Sequence, residues 1–398
     1  LSYTTLFRSK PHSKGDDLKE ILLLAEKHDV VTLLKRNKPV IPKNINEVST
    51  SWLSEILDAE VIRAQPMQIG QGVGLMGDIF RVELKYEQAT IGQPDSVVVK
   101  LPSSFEENRT QGVDLGMFEA EVRFYNELAQ DATVGVPEVY FAEIKTGTAD
   151  FVVVMEDLSH LEMVDQSTGM NVKQATSAVE VLASIHAVWW DRVQVPEMDW
   201  IPTMVGPRIE FVDPLLAQIY PVFAQGFEQY LPEGGLEIYE LFAGNYLKLT
   251  TALASRSPWT LAHQDYRVEN LMFGPTGSEQ VVVLDWQGIG RGPGAYDLAY
   301  ILGGSMDTML RRQHEQQLVS TYFERLVEHG VKDYSHEQLW EDYAHAHLLG
   351  GIAVPLLTGG SMDLSNERGL QLIATMANRH TAAALDHDGV ERLKKIIG

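Results

Sequence analysis

The stretch His263-Gln-Asp265-Tyr-Arg267-Val-Glu-Asn270, with Asp285 at the end of the apolar run Val281–Leu284, decides the reading of this chain. Phosphoryl transfer to a hydroxyl makes three local demands. A carboxylate must orient the hydroxyl and take its proton, hard oxygen ligands must hold Mg2+, and positive charge must balance the moving group. Asp265 suits the first demand. Asn270 and Asp285 suit the second, because Mg2+ prefers oxygen ligands and keeps several waters. Arg267, just past Asp265, suits the third, while His263 reads as a brace for the loop. Asp and Asn in such proximity also serve simply as turn caps, so the octapeptide gains weight from what precedes it.

Upstream lies Ile69-Gly-Gln-Gly72-Val-Gly74-Leu-Met-Gly77-Asp78, running into the alternating stretch Ile79–Tyr86. Glycines let a backbone turn through positive φ and approach phosphates closely. No Gly-Lys-Ser/Thr follows, and a strand comes next instead of a helix, so neither a Walker loop nor a dinucleotide fingerprint fits. Next comes Val97-Val-Val-Lys100-Leu-Pro. A lysine ending an apolar strand is costly to bury without a counter-ion, so Lys100 should meet anions. The helical piece Leu115–Gln130 offers the partner: its apolar stripe is Phe118, Val122, Tyr125 and Leu128, and Glu121 falls on that stripe. Glu119 is the fallback, and Glu119 and Glu127 read as a solvated face.

In this order the motifs resemble the aminoglycoside phosphotransferase and choline-kinase branch of the protein-kinase-like fold. The texture is most similar to the ecdysteroid-kinase-like and bacterial "phosphotransferase family" members, through Val-Val-Val-Lys-Leu-Pro, Glu-Val-Arg-Phe-Tyr, His-x-Asp-Tyr-Arg, Asp-Trp-Gln and Arg-Gly-Pro-Gly. Protein kinases fit less well, since Trp286-Gln287 follows Asp285 and no Ala-Pro-Glu appears downstream.

The resemblance implies a small-molecule kinase moving the γ-phosphate of ATP or GTP directly to an acceptor hydroxyl. Lys100 would hold the α- and β-phosphates, paired with Glu121, beneath a loop containing Gly72, Gly74 and Gly77. Phe151-Val-Val-Val-Met155-Glu156-Asp157-Leu158 is similar to the segment that joins the two lobes, so Glu156, Asp157 and Leu158 would border the nucleotide mainly through backbone. Asp265 would be the base, Arg267 would offset charge, and Asn270 with Asp285 would hold Mg2+. Two other readings stay open: a non-catalytic nucleotide sensor on the same fold, or an aminoglycoside or macrolide antibiotic phosphotransferase. His186, on an apolar helix face, reads as a satisfied core histidine, and Asp297 reads as a cap of the following helix that steadies the catalytic loop.

The implied architecture is α+β with two lobes. Residues 1–45 form an extension, with an amphipathic helix over 16–37, and Tyr3–Ser9 reads as a translated sequencing adapter. Residues 46–158 make a small nucleotide-binding lobe, an antiparallel sheet with one embedded helix. Residues 159–398 make a mostly helical lobe with helices over Val172–Trp190, Ile209–Tyr230, Leu236–Ser255, Met306–His329 and His336–Leu348, and one β-like island at Gln280–Leu284. The acceptor should lie against helices of 200–260 and 305–375.

The 398 residues carry 55 acidic and 32 basic side chains, a formal net charge of −23, which disfavours nucleic acid and anionic membrane as partners. With no cysteine, disulfides and thiolate metal sites are excluded. No apolar run has the length of a membrane span and no signal-peptide pattern opens the chain, so a cytoplasmic enzyme is expected. Oligomeric state is not legible.

Overall fold

The structure is a computed structural model describing residues 38–70, 76–88, 90–132, 134–275, 278–362 and 365–398. The helix expected over 16–37, together with Gly72 and Gly74, lies outside the described residues.

Helix α1 (Thr50–Ile56) starts where the Ser49 hydroxyl accepts the Trp52 N–H at 3.2 Å. Five strands follow: β1 (Val61–Ile69), β2 (Gly77–Tyr86), β3 (Ser96–Pro102), β4 (Val139–Ile144) and β5 (Phe151–Glu156). They form one antiparallel sheet in the order β1-β2-β3-β5-β4. Between β3 and β4 run α2 (Glu106–Asp114) and α3 (Met117–Arg123), the latter continuing as a π-turn over Phe124–Leu128.

The sheet is covered on both faces, which is why β5 reads as an unbroken apolar run. Val152 and Val154 pack with Trp52 and Leu53 of α1, whereas Phe151 and Val153 pack with Phe118 and Val122 of α3. Strand alternation puts Val97 and Val99 on the α1 face, and therefore turns Lys100 toward α3. The helix expected over Leu115–Gln130 is shorter at its start, where Gly116 takes a left-handed φ of +66°, and α2 precedes it. The α2 segment, Glu-Glu-Asn-Arg-Thr-Gln-Gly-Val-Asp, has no apolar stripe to reveal it.

The remaining chain is mostly helical: α4 (Val172–Trp189), α5 (Pro207–Phe227), α6 (Gly235–Phe242), α7 (Tyr246–Ala254), α8 (Ala295–Ser305), α9 (Thr308–Glu328), α10 (His336–Ala346), α11 (Gly350–Ser361), α12 (Glu367–Asp386) and α13 (Gly389–Ile397). The single helix expected over Leu236–Ser255 is in fact two. Gly244 adopts φ +78°, and the Asp213 carboxylate accepts the Tyr246 N–H at 2.7 Å where α7 begins. The island at Gln280–Leu284 is not isolated either. Its strand β9 (Val281–Val283) joins β8 (Leu271–Phe273) and β6 (Glu162–Met163), and β7 (Trp259–Ala262) pairs with β10 (Gly290–Pro293). These short ladders fix the ends of the 263–270 loop and of the run into Asp285. Among the described residues no helix is long and apolar enough to cross a membrane.

Candidate active site

Lys100 is the hub where the sheet, α3 and the segment ending in Asp285 meet. Its Nζ lies 2.8 and 3.0 Å from the two Glu121 carboxylate oxygens and 2.8 Å from Asp285 Oδ1. Burial alone would lower the Lys100 pKa, but Asp285 and Glu121 outweigh it and hold it above the ordinary lysine value. Burial would raise Asp285, yet Lys100 at contact distance brings it below the ordinary carboxylate range. For Glu121 burial wins and the pKa rises, with the Lys100 charge offsetting only part. Glu119 and Glu127 instead pair with Arg123 on the outer face of α3. The choice of Glu121 over Glu119 therefore agrees with the geometry, because one turn of helix decides which carboxylate faces the sheet.

The loop after β7 is held by buried polar groups. Asp297 accepts the backbone N–H of His263 at 2.6 Å and of Gln264 at 2.9 Å, and faces His186 Nε2 at 3.2 Å. The expectation that Asp297 caps its own helix is corrected. It lies inside α8, behind Gly294, and spends its carboxylate on the loop instead. His186 is fully buried and also meets the Tyr322 hydroxyl at 2.7 Å, so it is a satisfied core histidine. His263 braces as expected: Nε2 lies 3.0 Å from the Leu284 carbonyl, and Nδ1 accepts the Asp265 N–H at 3.3 Å. Leu284 N–H in turn donates to the Asn270 carbonyl at 2.8 Å.

Asp265 remains 38% exposed at the side chain, open enough to meet an acceptor. Asn270 Nδ2 donates to Asp265 Oδ2 and to the Asp265 carbonyl, both at 2.9 Å, which leaves the Asn270 side-chain oxygen as its group for a cation. Asp285 takes a left-handed φ of +65°, and its Oδ2 accepts from Gln287 Nε2 at 3.1 Å. Gln287 Oε1 is buried with no hydrogen-bond partner, a further oxygen beside Asp285. Carboxylate, amide oxygen and this orphaned atom make an all-oxygen donor set of the kind Mg2+ takes. Arg267 stands differently from the expectation. Its guanidinium pairs with Glu269 and approaches Asp265 Oδ2 at 3.4 Å, so it is committed to these two carboxylates.

The linker residues also have structural partners. Asp157 accepts Arg81 Nε at 2.7 Å, Arg81 Nη2 at 3.0 Å and the Ser96 hydroxyl at 2.5 Å. Burial opposes ionisation there, but these donors hold its pKa down at about 2. Glu156 Oε1 accepts the Glu138 N–H at 2.8 Å, tying β5 to the start of β4. Leu158 packs with Leu161, Met272 and Val282 under the β8–β9 ladder. Gly77 opens β2, and a Cβ there would lie 2.7 Å from the Leu101 carbonyl.

Sequence reading missed Arg81, Gln287, Trp286 and Tyr300. Trp286 stacks on Phe124 at 3.9 Å and 9°, docking α3 onto the turn after Asp285. Burial pushes the Tyr300 hydroxyl well up, helped by the nearby Asp265 charge. Arg81 lies in an alternating strand, where a charge reads as solvent-facing. Only Asp-Trp-Gln, already singled out as a unit, carried a local signal.

The sequence pattern of the ecdysteroid kinase-like family matches residues 71–333. Among curated proteins, an uncharacterized oxidoreductase of Caenorhabditis elegans, dhs-27, is 25% identical over 338 residues, covering 75% of this chain and 40% of that protein. The chain thus spans well under half the length of that relative. Among solved structures, the Plasmodium vivax ethanolamine kinase superposes with TM-score 0.52 at 11% identity, covering 93% of this chain and 94% of that one. Choline kinase from Cryptosporidium parvum gives 0.51 at 12% identity, covering 84% and 91%. An aminoglycoside 2′-phosphotransferase-IIIa in complex with GDP gives 0.51 at 13%, covering 89% and 97%. At such identities the likeness speaks to fold: the two-lobed kinase-like architecture is the one described above.

Proposed function

As the chain belongs to the ecdysteroid kinase-like family, we propose that it is a phosphotransferase moving the γ-phosphate of ATP or GTP to the hydroxyl of a small-molecule acceptor. One observation carries this reading: a single lysine ammonium within 3.0 Å of both Glu121 and Asp285, with Asp285 tied through Leu284 to the loop of Asp265 and Asn270. The arrangement aligns the charges that a nucleotide triphosphate needs and leaves one carboxylate open for the acceptor.

In the proposed mechanism Lys100 turns from Asp285 toward the α- and β-phosphates while Glu121 keeps its ammonium in place. Asn270 and Asp285, with Gln287 beside them, would hold Mg2+, which supplies charge neutralisation on the phosphates. Asp265 accepts a hydrogen bond from the acceptor hydroxyl, aims its oxygen at the γ-phosphorus, and takes the proton as the new P–O bond forms, the bond to the bridging oxygen breaks and the nucleoside diphosphate leaves. No covalent phospho-enzyme is needed. Asn270, donating to Asp265 Oδ2, fixes the carboxylate so that the other oxygen faces the acceptor. Arg267, held by Glu269, keeps positive charge next to the base. The Arg81–Asp157 pair fixes the linker, whose backbone would border the base of the nucleotide.

The test is an ADP- and GDP-release screen with Mg2+ against aminoglycosides, macrolides, choline-like amines, sugars and sterols. Acceptor-dependent release that disappears in Asp265→Asn, with nucleotide binding retained, is the expected result. Near-wild-type turnover in that variant would overturn the role of Asp265. Silence with every acceptor, including no slow hydrolysis, would favour the nucleotide-sensor reading.

A further inference from the structure

Away from the cleft, three side chains of the helical lobe converge without any task in phosphoryl transfer. Glu315 comes from α9, His347 from the residue after α10, and His387 from the turn between α12 and α13. One ligand-type atom from each lies within 4.8 Å of the other two. His387 Nε2 and Glu315 Oε2 are 3.3 Å apart, and the His347 and His387 rings lie nearly parallel, centroids 5.1 Å apart.

His347 is 1% exposed, yet neither of its ring nitrogens has a hydrogen-bond partner. A buried polar group in that state needs an explanation. We propose that Glu315, His347 and His387 form a binding site for a divalent transition ion of the zinc class, which cross-links three separate segments of the helical lobe.

The donor chemistry selects the ion. Two imidazole nitrogens and one carboxylate are the ligands of zinc, whereas Mg2+ and Ca2+ take oxygen alone. Neither ring nitrogen of His347 is taken by a hydrogen bond, so one is available to an ion.

A shell of donors already orients the carboxylate. The Tyr343 hydroxyl donates to Glu315 Oε2 at 3.2 Å, and Arg311 bridges Glu315 and Asp386. Outer partners of this kind fix metal ligands in place. Arg311 and Arg312 bring positive charge nearby, Asp386 pairing with both and Glu315 with Arg311. Ligand atoms on a tetrahedral zinc lie about 3.3 Å apart, so the cluster, whose ligand atoms lie within 4.8 Å of one another, would draw in on binding. Glu315 keeps 13% side-chain exposure, giving the ion a route from solvent and a water its fourth position.

The site would brace the back of the catalytic loop's support. A Cβ on Gly303 of α8 would lie 3.0 Å from His347 Nδ1, and α8 is the helix whose Asp297 holds His263 and Gln264. The proposal does not depend on the phosphotransferase reading, since its readout is metal content.

The experiment starts from full-length protein stripped with chelator and dialysed against limiting Zn2+ in excess Mg2+, with metal counted by mass spectrometry. Wild type and Asp285→Asn should each retain one zinc per chain, and His347→Ala and His387→Gln should lose it. Zinc should raise Tm in wild type and leave both histidine variants unmoved. Where a variant is poorly folded, Co2+ loading of wild type decides: intense tetrahedral absorption supports the site, and only weak octahedral bands refute it. Zinc retained in full by both histidine variants, or none bound by wild type, would overturn the proposal.

Discussion

Replacing Asp297 by Asn tests how far the catalytic loop depends on one buried carboxylate. The side chain is fully buried and its two oxygens serve three donors: His263 N–H at 2.6 Å, Gln264 N–H at 2.9 Å and His186 Nε2 at 3.2 Å. An amide has one acceptor oxygen, so whichever way Asn turns, its NH2 faces a backbone N–H that can only donate. Hydrogen bonds to a charged group contribute about 1.5–3 kcal/mol each, and a buried donor left unpaired costs about 1–3 kcal/mol. Asp297→Asn should therefore destabilise the protein by roughly 2–4 kcal/mol, a large share of a typical stability of about 5–15 kcal/mol.

The functional effect should exceed the loss of folded protein. His263 and Gln264 directly precede Asp265, and Gln264 has a left-handed φ of +65° that these bonds help to hold. Release of the loop should lower kcat per folded molecule by at least tenfold, while KM for nucleotide changes little because Lys100 and Glu121 are untouched. Urea unfolding by tryptophan fluorescence measures the first quantity, and ADP release at saturating nucleotide the second. A variant within about 1 kcal/mol of wild type, with unchanged kcat, would refute the argument.

Lys100→Met leaves Glu121 and Asp285 facing each other without the cation between them; nucleotide affinity measured by titration should fall at least tenfold, with lower Tm. Gly77→Ala places a Cβ against the Leu101 carbonyl at 2.7 Å, so β2 and β3 must shift apart near Lys100, and KM for ATP should rise while the unfolding midpoint falls. Acid should destabilise the helical lobe through its neutral histidines. Burial first, then neighbouring arginines, lower His345 to about 4 and His380 to about 3. Both are neutral when folded but bind protons when unfolded below about pH 6.5. Their stability is fully present above that pH and is lost, at about 1.4 kcal/mol per pH unit for each, as pH falls toward 4. Urea midpoints that stay flat from pH 7.5 to 5 would contradict this.

What was legible in the sequence follows from how local each signal is. The pairing of Lys100 with Glu121 was readable because strand alternation and helix periodicity fix side-chain direction, whereas Asp265, Asn270 and Asp285 stood out through the spacing of one short motif. The break at Gly244 was missed because apolar spacing continues across it, and α2 because it lacks an apolar face. Arg267 illustrates the opposite limit. Its position beside Asp265 suggested a phosphate partner, but the neighbouring Glu269 captures the guanidinium, and no spacing rule ranks two anions at similar range. Asp297 was read as steadying the loop, which it does, and as capping its own helix, which it does not, because its carboxylate is taken by the His263 and Gln264 N–H groups far away in sequence.

Leu284 has no functional group in its side chain, yet its peptide is the seam of the site. Its carbonyl faces His263 and its N–H donates to Asn270, so the segments bearing Asp265 and Asp285 are sewn together across one amino acid. The two acidic residues are consequently held as one part, and the small lobe meets that part at the Lys100–Asp285 ion pair and at the Phe124–Trp286 stack. On the proposed function, the phosphates would enter where Lys100 meets Asp285, between two parts that are already assembled.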